Sequence, residues 1–258
     1  ILQLKDARFI DGHFVIAFPL GDESLADRLC RRTARATTVD YIVQMVDALA
    51  FAHQNRVLHR DIKPGNILFE RGDAATDQPL TGAELSGSVR LADFGLARNV
   101  KDSVRVTGAA AVLGTPAYMS PEQADNTREV DIRADIYSLG ATLFALLVGH
   151  SPFGGNQFDS TMKKVAALAT RDAPSVRLFR SEVPKPLTAV IARMLHREPG
   201  KRFETPQEVA AALEPFRDDR SDTRSDATVS ALASKMLKSR APALAVIILA
   251  CQAPSRLA

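Results

Sequence analysis

Four side chains carry the chemistry open to this sequence. Asp61 and Lys63 lie two positions apart in the run His59-Arg60-Asp61-Ile62-Lys63-Pro64-Gly65-Asn66, which the amide of Asn66 closes. A second carboxylate follows in Asp93-Phe94-Gly95. Carboxylates, an ammonium group and an amide supply position and charge rather than covalent chemistry. An isolated His-Arg-Asp triplet would be no more than a turn with a solvated ion pair. Here Gly114-Thr115-Pro116 and Ser120-Pro121-Glu122 follow downstream, and it is the ordered set that carries information.

The set resembles the catalytic core of eukaryotic-type serine/threonine protein kinases, in the form found in bacteria. The resemblance implies transfer of the γ-phosphoryl group of ATP to Ser or Thr hydroxyls of protein substrates. It makes Asp61 the base that accepts the proton of the attacking hydroxyl and places Lys63 beside the transferred group. Asn66 and Asp93 become ligands of Mg²⁺, or of Mn²⁺, which need oxygen donors of this kind. Thr115, with Lys63, links the catalytic loop to the substrate platform and favours a Ser or Thr acceptor. Ile16 is implied as the gatekeeper behind the adenine, Ala17 as the start of a hinge running to Leu20, and Leu68 as the apolar floor of the adenine pocket. Pro19 falls where the family offers a backbone N–H to the adenine; proline has none, which weakens nucleotide binding about tenfold at most. Thr107, and with less support Ser103, stand where regulatory phosphates are placed, with Arg60 as the partner such a phosphate needs. Structural roles are implied for His59, for an ion pair between Glu122 and Arg202, and for Asp135 as acceptor of backbone N–H groups from the catalytic loop.

The elements that must position these residues are readable from periodicity. Ile1 to Arg8 and His13 to Phe18, joined by Asp11-Gly12, read as a hairpin. A helix begins within Gly21 to Leu29 with Ser24 as its cap. Thr38 to Gln54 continues at helical spacing, and His53 near its end is expected as a packed or capping histidine. Ile67-Leu68-Phe69 and Val89 to Ala92 are short strands separated by an inserted loop from Glu70 to Ser88. Asp131 to Val148 is apolar nearly all round, the pattern of a helix at the centre of a domain, and Gly149 ends it. Phe158 to Ala169, Pro186 to His196 and Pro206 to Phe216 are further helices. The expected fold is α+β and kinase-like, a mainly helical large lobe with only two strands of the small lobe. Residues 1–217 form the partial kinase domain, with 1–20 as small-lobe remnant and hinge and 21–217 as large lobe.

Composition bounds the rest. Hydrophobic residues make up 46% and charged residues 24% of the chain, as in an ordinary globular protein. A net charge of +3, with Lys and Arg scattered, excludes a nucleic-acid stripe. Cys30 and Cys251 are too far apart, and too few, for a metal site or a disulfide framework, which fits a reducing, cytoplasmic setting. Residues 218–240 read as a charged, Ser-rich linker and 241–258 as a short apolar tail. Lys235, Lys238 and Arg240 before the apolar run Ala243 to Cys251 resemble the juxtamembrane region of bacterial receptor kinases. That run is shorter than the roughly 20 residues of a membrane span, so a membrane enters only if a span has been cut off.

The family's glycine-rich loop, its Val-Ala-x-Lys strand and the helix bearing that lysine's glutamate have no counterpart in the sequence. The chain is therefore expected to be an N-terminally truncated kinase with little activity alone, and its exposed strand edges are expected to promote self-association. Two rival readings stand beside an active kinase. One is a catalytically dead remnant acting as a protein-binding scaffold. The other is a small-molecule phosphotransferase, against which Thr115 and Ser120-Pro121-Glu122 argue.

Overall fold

The computed structural model describes residues 1–10, 13–18, 23–29, 33–70, 88–94, 116–125, 130–155, 158–217 and 246–249. Among the described residues, two small sheets and seven α-helices surround a helical core. Strands β1 (Asp6–Ile10) and β2 (His13–Ala17) form an antiparallel hairpin with Asp6 opposite Ala17 and Ile10 opposite His13. The second sheet pairs the two-residue strand β3 (Glu23–Ser24) with β4 (Ile67–Glu70), and β4 with β5 (Ser88–Leu91), all antiparallel. The segment before β1 joins the sheets, because Leu2 N–H donates to the Leu91 carbonyl at 2.8 Å and Lys5 N–H to the Ala17 carbonyl at 2.9 Å.

Helix α1 (Leu25–Arg28) opens on Ser24, whose hydroxyl and the Asp27 carboxylate form a reciprocal capping box. Its Arg28 is buried, donates to the Tyr41 hydroxyl at 2.9 Å, pairs with Glu23 and lies 3.7 Å above the Phe69 ring. A buried guanidinium needs such partners, and here they weld the start of the lobe to β4. Helix α2 (Arg35–Gln54) begins three residues before the Thr38 read from the sequence and buries Val39, Ile42, Met45, Val46 and Leu49. The end of α2 is a Schellman motif: Val57 N–H reaches the Ala52 carbonyl and Arg56 N–H the His53 carbonyl, each at 2.9 Å. Arg56 holds the left-handed position at φ 60°, where glycine is the unstrained residue.

Beyond the loop from Leu58 to Asn66 come α3 (Pro121–Ala124), α4 (Ile132–Val148), α5 (Thr161–Thr170), α6 (Lys185–Met194) and α7 (Pro206–Leu213). Helix α4 is buried on every side from Ala134 to Leu147, as its uniform apolarity requires. It is capped by Asp131 at its start and stopped by Gly149 at φ 95°. At Gly140 an added Cβ would stand 2.8 Å from the Met194 Cβ, so the bare backbone there allows α4 and α6 to meet. Arg217 closes the lobe by donating to Asp40 of α2 at 2.8 Å.

One element departs from the sequence reading. Within the apolar tail, Val246–Leu249 forms β6 and pairs antiparallel with β2, giving the order β1-β2-β6. The small sheet thus has three strands rather than two. The inserted loop after Glu70, the hinge at Pro19 and Leu20, and residues 218–240 lie outside the described residues.

A left-handed non-glycine residue costs about 1–2 kcal/mol. Arg56→Gly should therefore raise stability by about 1 kcal/mol in urea unfolding, after the larger backbone entropy of glycine is offset. A lower midpoint would show that the arginine side chain contributes more than its backbone strain costs.

Candidate active site

Residues Leu58 to Asn66 pass from the end of α2 into β4 as an extended loop that tightens into a single 3-10 turn, Pro64–Asn66, before the strand. What fixes this loop is a buried carboxylate from α4. Asp135 is 1% exposed and accepts His59 N–H at 2.9 Å on Oδ2 and Arg60 N–H at 2.8 Å on Oδ1. His53 Nε2, 2.8 Å away, must donate to Oδ2 as well, because a carboxylate only accepts. Arg60 is held at φ 66°, a conformation that the two backbone bonds to a charged acceptor sustain.

His59 is fully buried and reads both ways. Its Nε2–H donates to the Ala92 carbonyl at 3.0 Å, and its Nδ1 accepts Asp61 N–H at 3.3 Å. Both contacts fit the neutral ring, and burial pulls its pKa below the ordinary 6.5, against the opposing pull of the Ala92 carbonyl and the nearby carboxylates. The Phe94 ring lies 4.6 Å from the His59 ring and so ties the second motif to the first. Ala92 N–H donates to the Asn66 carbonyl at 2.9 Å, which sets Asp93 beside the end of the loop.

Within this frame, Asp61, Lys63 and Asn66 come together. Lys63 Nζ stands 2.7 Å from Asp61 Oδ2, and Asn66 Nδ2 donates to the same oxygen at 3.1 Å and to the Asp61 carbonyl at 2.8 Å. Among the described residues nothing bonds Asp61 Oδ1, so one carboxylate oxygen is anchored and the other is open. With its nitrogen spent on Asp61, Asn66 keeps its amide oxygen. Asp93 is exposed, adopts φ 59° and makes no hydrogen bond or ion pair among the described residues. A carboxylate and an amide oxygen are hard donors of the kind Mg²⁺ takes. No group of three or more His, Cys, Asp or Glu that could hold a metal ion occurs among the described residues. Two such oxygens are fewer than the six of an octahedral Mg²⁺ shell, so a cation held there would take its other oxygens from elsewhere, water or a polyphosphate included.

The platform below is fastened by a second buried charge. Arg202, with its side chain 0% exposed, grips Glu122 with both terminal nitrogens at 2.7 and 2.8 Å. Its remaining donors meet the carbonyls of His196, Arg133 and Arg197 at 2.6, 2.9 and 3.0 Å, and the guanidinium sits 4.9 Å from the Tyr137 ring. All five N–H groups are used. Gln123, next to Glu122, caps α3 through Ser120 and donates to the Arg60 carbonyl at 2.9 Å. The sequence reading left Gln123 unremarked and gave His53 as a packed or capping histidine, since neither its contact to Asp135 nor that of Gln123 to the Arg60 carbonyl has a local signature.

Toward the nucleotide side, Ile16 is buried in β2, while Ala17 and Leu68 are half-buried; Leu68 faces Ser24 and Arg90 across its sheet. Thr115, Thr107, Ser103 and Gly95 lie outside the described residues.

A sequence profile described as the protein kinase domain matches residues 1–213. The serine/threonine-protein kinases PknB of Mycobacterium leprae and of Mycobacterium tuberculosis are each 38% identical to the chain, over 176 and 177 residues, or 68% of it. The serine/threonine-protein kinase PrkC of Bacillus subtilis is 35% identical over 170 residues, 66% of the chain. The chain spans about a quarter of the length of these relatives, 25% of either PknB and 23% of PrkC.

Loss of Arg202 leaves Glu122 as an uncompensated, largely buried charge, so Arg202→Ala should destabilise the lobe by about 3–5 kcal/mol in urea unfolding. Arg202→Lys should recover little of this, because an ammonium group replaces five fixed donors with three. Stability should also depend on pH through His59. Its folded-state pKa lies below 6.5, so on acidification the unfolded chain takes the proton first. The stabilisation is intact above pH 6.5 and is lost as pH falls beneath it. Unfolding free energies compared at about pH 7.5 and about pH 5.5 should show this drop in the native chain and a flatter profile in His59→Asn.

Proposed function

The chain belongs to the protein kinase domain family, and on that premise we propose that it is the hinge and large lobe of a serine/threonine protein kinase acting on protein substrates in the cytoplasm. The observation that carries the reading is the split of Asp61. One oxygen is pinned by Lys63 and Asn66, and the other is open at the mouth of a loop that is otherwise held rigid.

The open Oδ1 is positioned to accept the proton of an incoming hydroxyl, which makes Asp61 the base. Lys63, paired with Oδ2, keeps a positive charge next to the place where negative charge develops. Its pairing with a carboxylate restricts it to one orientation. Asn66 braces Asp61 with its nitrogen and offers its oxygen to the cation, which Asp93 would hold from the other motif. MgATP, when bound, supplies the phosphoryl group and a metal that neutralises the phosphate charge. Ile16, Ala17 and Leu68 provide apolar surface for the adenine. Thr115 is assigned to the substrate platform, Thr107 and Ser103 to regulatory phosphorylation, with Arg60 the exposed cation closest to the catalytic aspartate in sequence.

A scaffold that merely binds proteins needs neither the open carboxylate oxygen nor the two oxygen donors at Asn66 and Asp93. Phosphotransfer therefore accounts for more of the geometry.

In the full-length protein, Asp61→Asn should lower phosphate transfer to a protein substrate by about 10²–10⁴-fold. ATP affinity should change little, because Asp61 is given no contact with the nucleotide. Transfer that survives the substitution would remove Asp61 from the role of base. An unaltered full-length protein that binds MgATP but transfers nothing would favour the scaffold.

A further inference from the structure

Beneath the nucleotide side of the lobe lies a buried charge that the chemistry at Asp61 does not use. Arg28 of α1 is 8% exposed, and its guanidinium meets three elements at once. Its Nε pairs with Glu23 of β3, a terminal nitrogen donates to the Tyr41 hydroxyl of α2 at 2.9 Å, and its flat face covers the Phe69 ring of β4 at 3.7 Å. Glu23 stands directly opposite Phe69 in the pairing of β3 with β4, so one side chain spans both members of that pair. The Tyr41 ring closes the cluster, edge-on to Phe69 at 5.8 Å.

Strand β3 has two residues, too few to hold its register by ladder bonds alone. What the short ladder lacks, Arg28 supplies through side-chain contacts. Successive residues of a strand point to opposite faces, so Phe69 turns onto Tyr41 and Arg28 while its half-buried neighbour Leu68 turns the other way, toward the nucleotide side. Ser24 of β3 lies opposite Leu68 and next to Glu23. Fixing Glu23 on Phe69 therefore also fixes the flank of Leu68. We propose that Arg28 is a positioning residue for nucleotide binding, clamping β3 to β4 so that the apolar surface at Leu68 is in place before the adenine arrives. The inference rests on the reading of Leu68 as adenine surface, and it adds a residue that touches neither the nucleotide nor the reacting groups. A preformed surface binds more tightly because its ordering cost has been met in advance. Neither charge nor bulk alone replaces the guanidinium: lysine keeps the charge without the planar face, and methionine keeps an apolar stem without the fork.

The test compares the full-length protein with Arg28→Met/Tyr41→Phe, which removes both partners of the buried hydrogen bond together and leaves no orphaned hydroxyl. Without nucleotide, hydrogen exchange in β3 and β4 should quicken roughly tenfold, while exchange in α6 stays unchanged and shows that the lobe remains folded. The Kd for MgADP and the KM for ATP should both rise about tenfold with kcat within about twofold, the signature of lost binding rather than lost chemistry. The turnover is spared because the Asp61 loop is held from α4 by Asp135. A packing role alone would not separate KM from kcat. Arg28→Lys, which keeps the charge, should shift exchange and affinity in the same direction by a smaller factor, so the comparison stands even where the double variant is unstable. Unchanged exchange in β3 and β4 would overturn the clamp. Faster exchange with an unaltered Kd would overturn the role in nucleotide binding and leave the kinase reading standing. An unaltered protein that binds no MgADP would remove the adenine surface at Leu68, and the proposal with it.

Discussion

The buried carboxylate of Asp135 is the constraint on which the active-site loop depends. A charge at 1% exposure is tolerable only if it is fully hydrogen-bonded, and its donors are two successive backbone N–H groups of the loop and the imidazole of His53. Each bond to a charged acceptor is worth about 1.5–3 kcal/mol, whereas the left-handed conformation of Arg60 costs about 1–2 kcal/mol. The bonds win, and the strained turn that orients Asp61 persists. Asp135 also lies in the first turn of α4, where the helix dipole favours negative charge.

Arg202 answers Asp135 with the opposite sign on the same helix end. It takes the Arg133 carbonyl at the start of α4 and both oxygens of Glu122, so α3 is fixed relative to α4. Gln123 carries that restraint onward to the carbonyl of Arg60, whose N–H is already held by Asp135. The two ends of one strained residue are thus gripped from two elements. Displacing α3 would pull on the Arg60 carbonyl, and the loop could shift only by giving up bonds to a buried charge. A geometry shared between α3 and the Asp61 loop follows directly from these hydrogen bonds.

Much of this was legible in the sequence where the physics is local. The uniform apolarity of α4, the stop at Gly149, the cap at Ser24 and the hairpin before residue 18 depend on near neighbours. So does the clustering of Asp61, Lys63 and Asn66, which share one short loop. The contact from His53 to Asp135 spans 82 positions and has no local signature, and Gln123 resembles any polar residue of a short helix. Arg56 inverts the local rule, occupying a left-handed position that composition would assign to glycine. The strand at Val246–Leu249 is the extreme case. Its apolar, β-branched composition was visible, but a run of that length also suits a frayed tail or the start of a membrane segment, and its pairing with β2, from the other end of the chain, has no local signature.

The groups that hold the site and the groups that would act in it differ sharply in exposure. Asp135, His59 and Arg202 are buried, whereas Asp61 and Lys63 are 30% and 25% exposed at the side chain and Asp93 is exposed. Two unit charges 4 Å apart interact by about 1 kcal/mol in water and about 4 kcal/mol near a protein surface of lower effective dielectric. The lobe by itself therefore fixes where the reacting charges stand but leaves their fields weakened by solvent. Whatever covers Asp61 and Asp93 during reaction strengthens the contacts already in place without having to build new ones, because position has been supplied in advance by charges that never reach the surface.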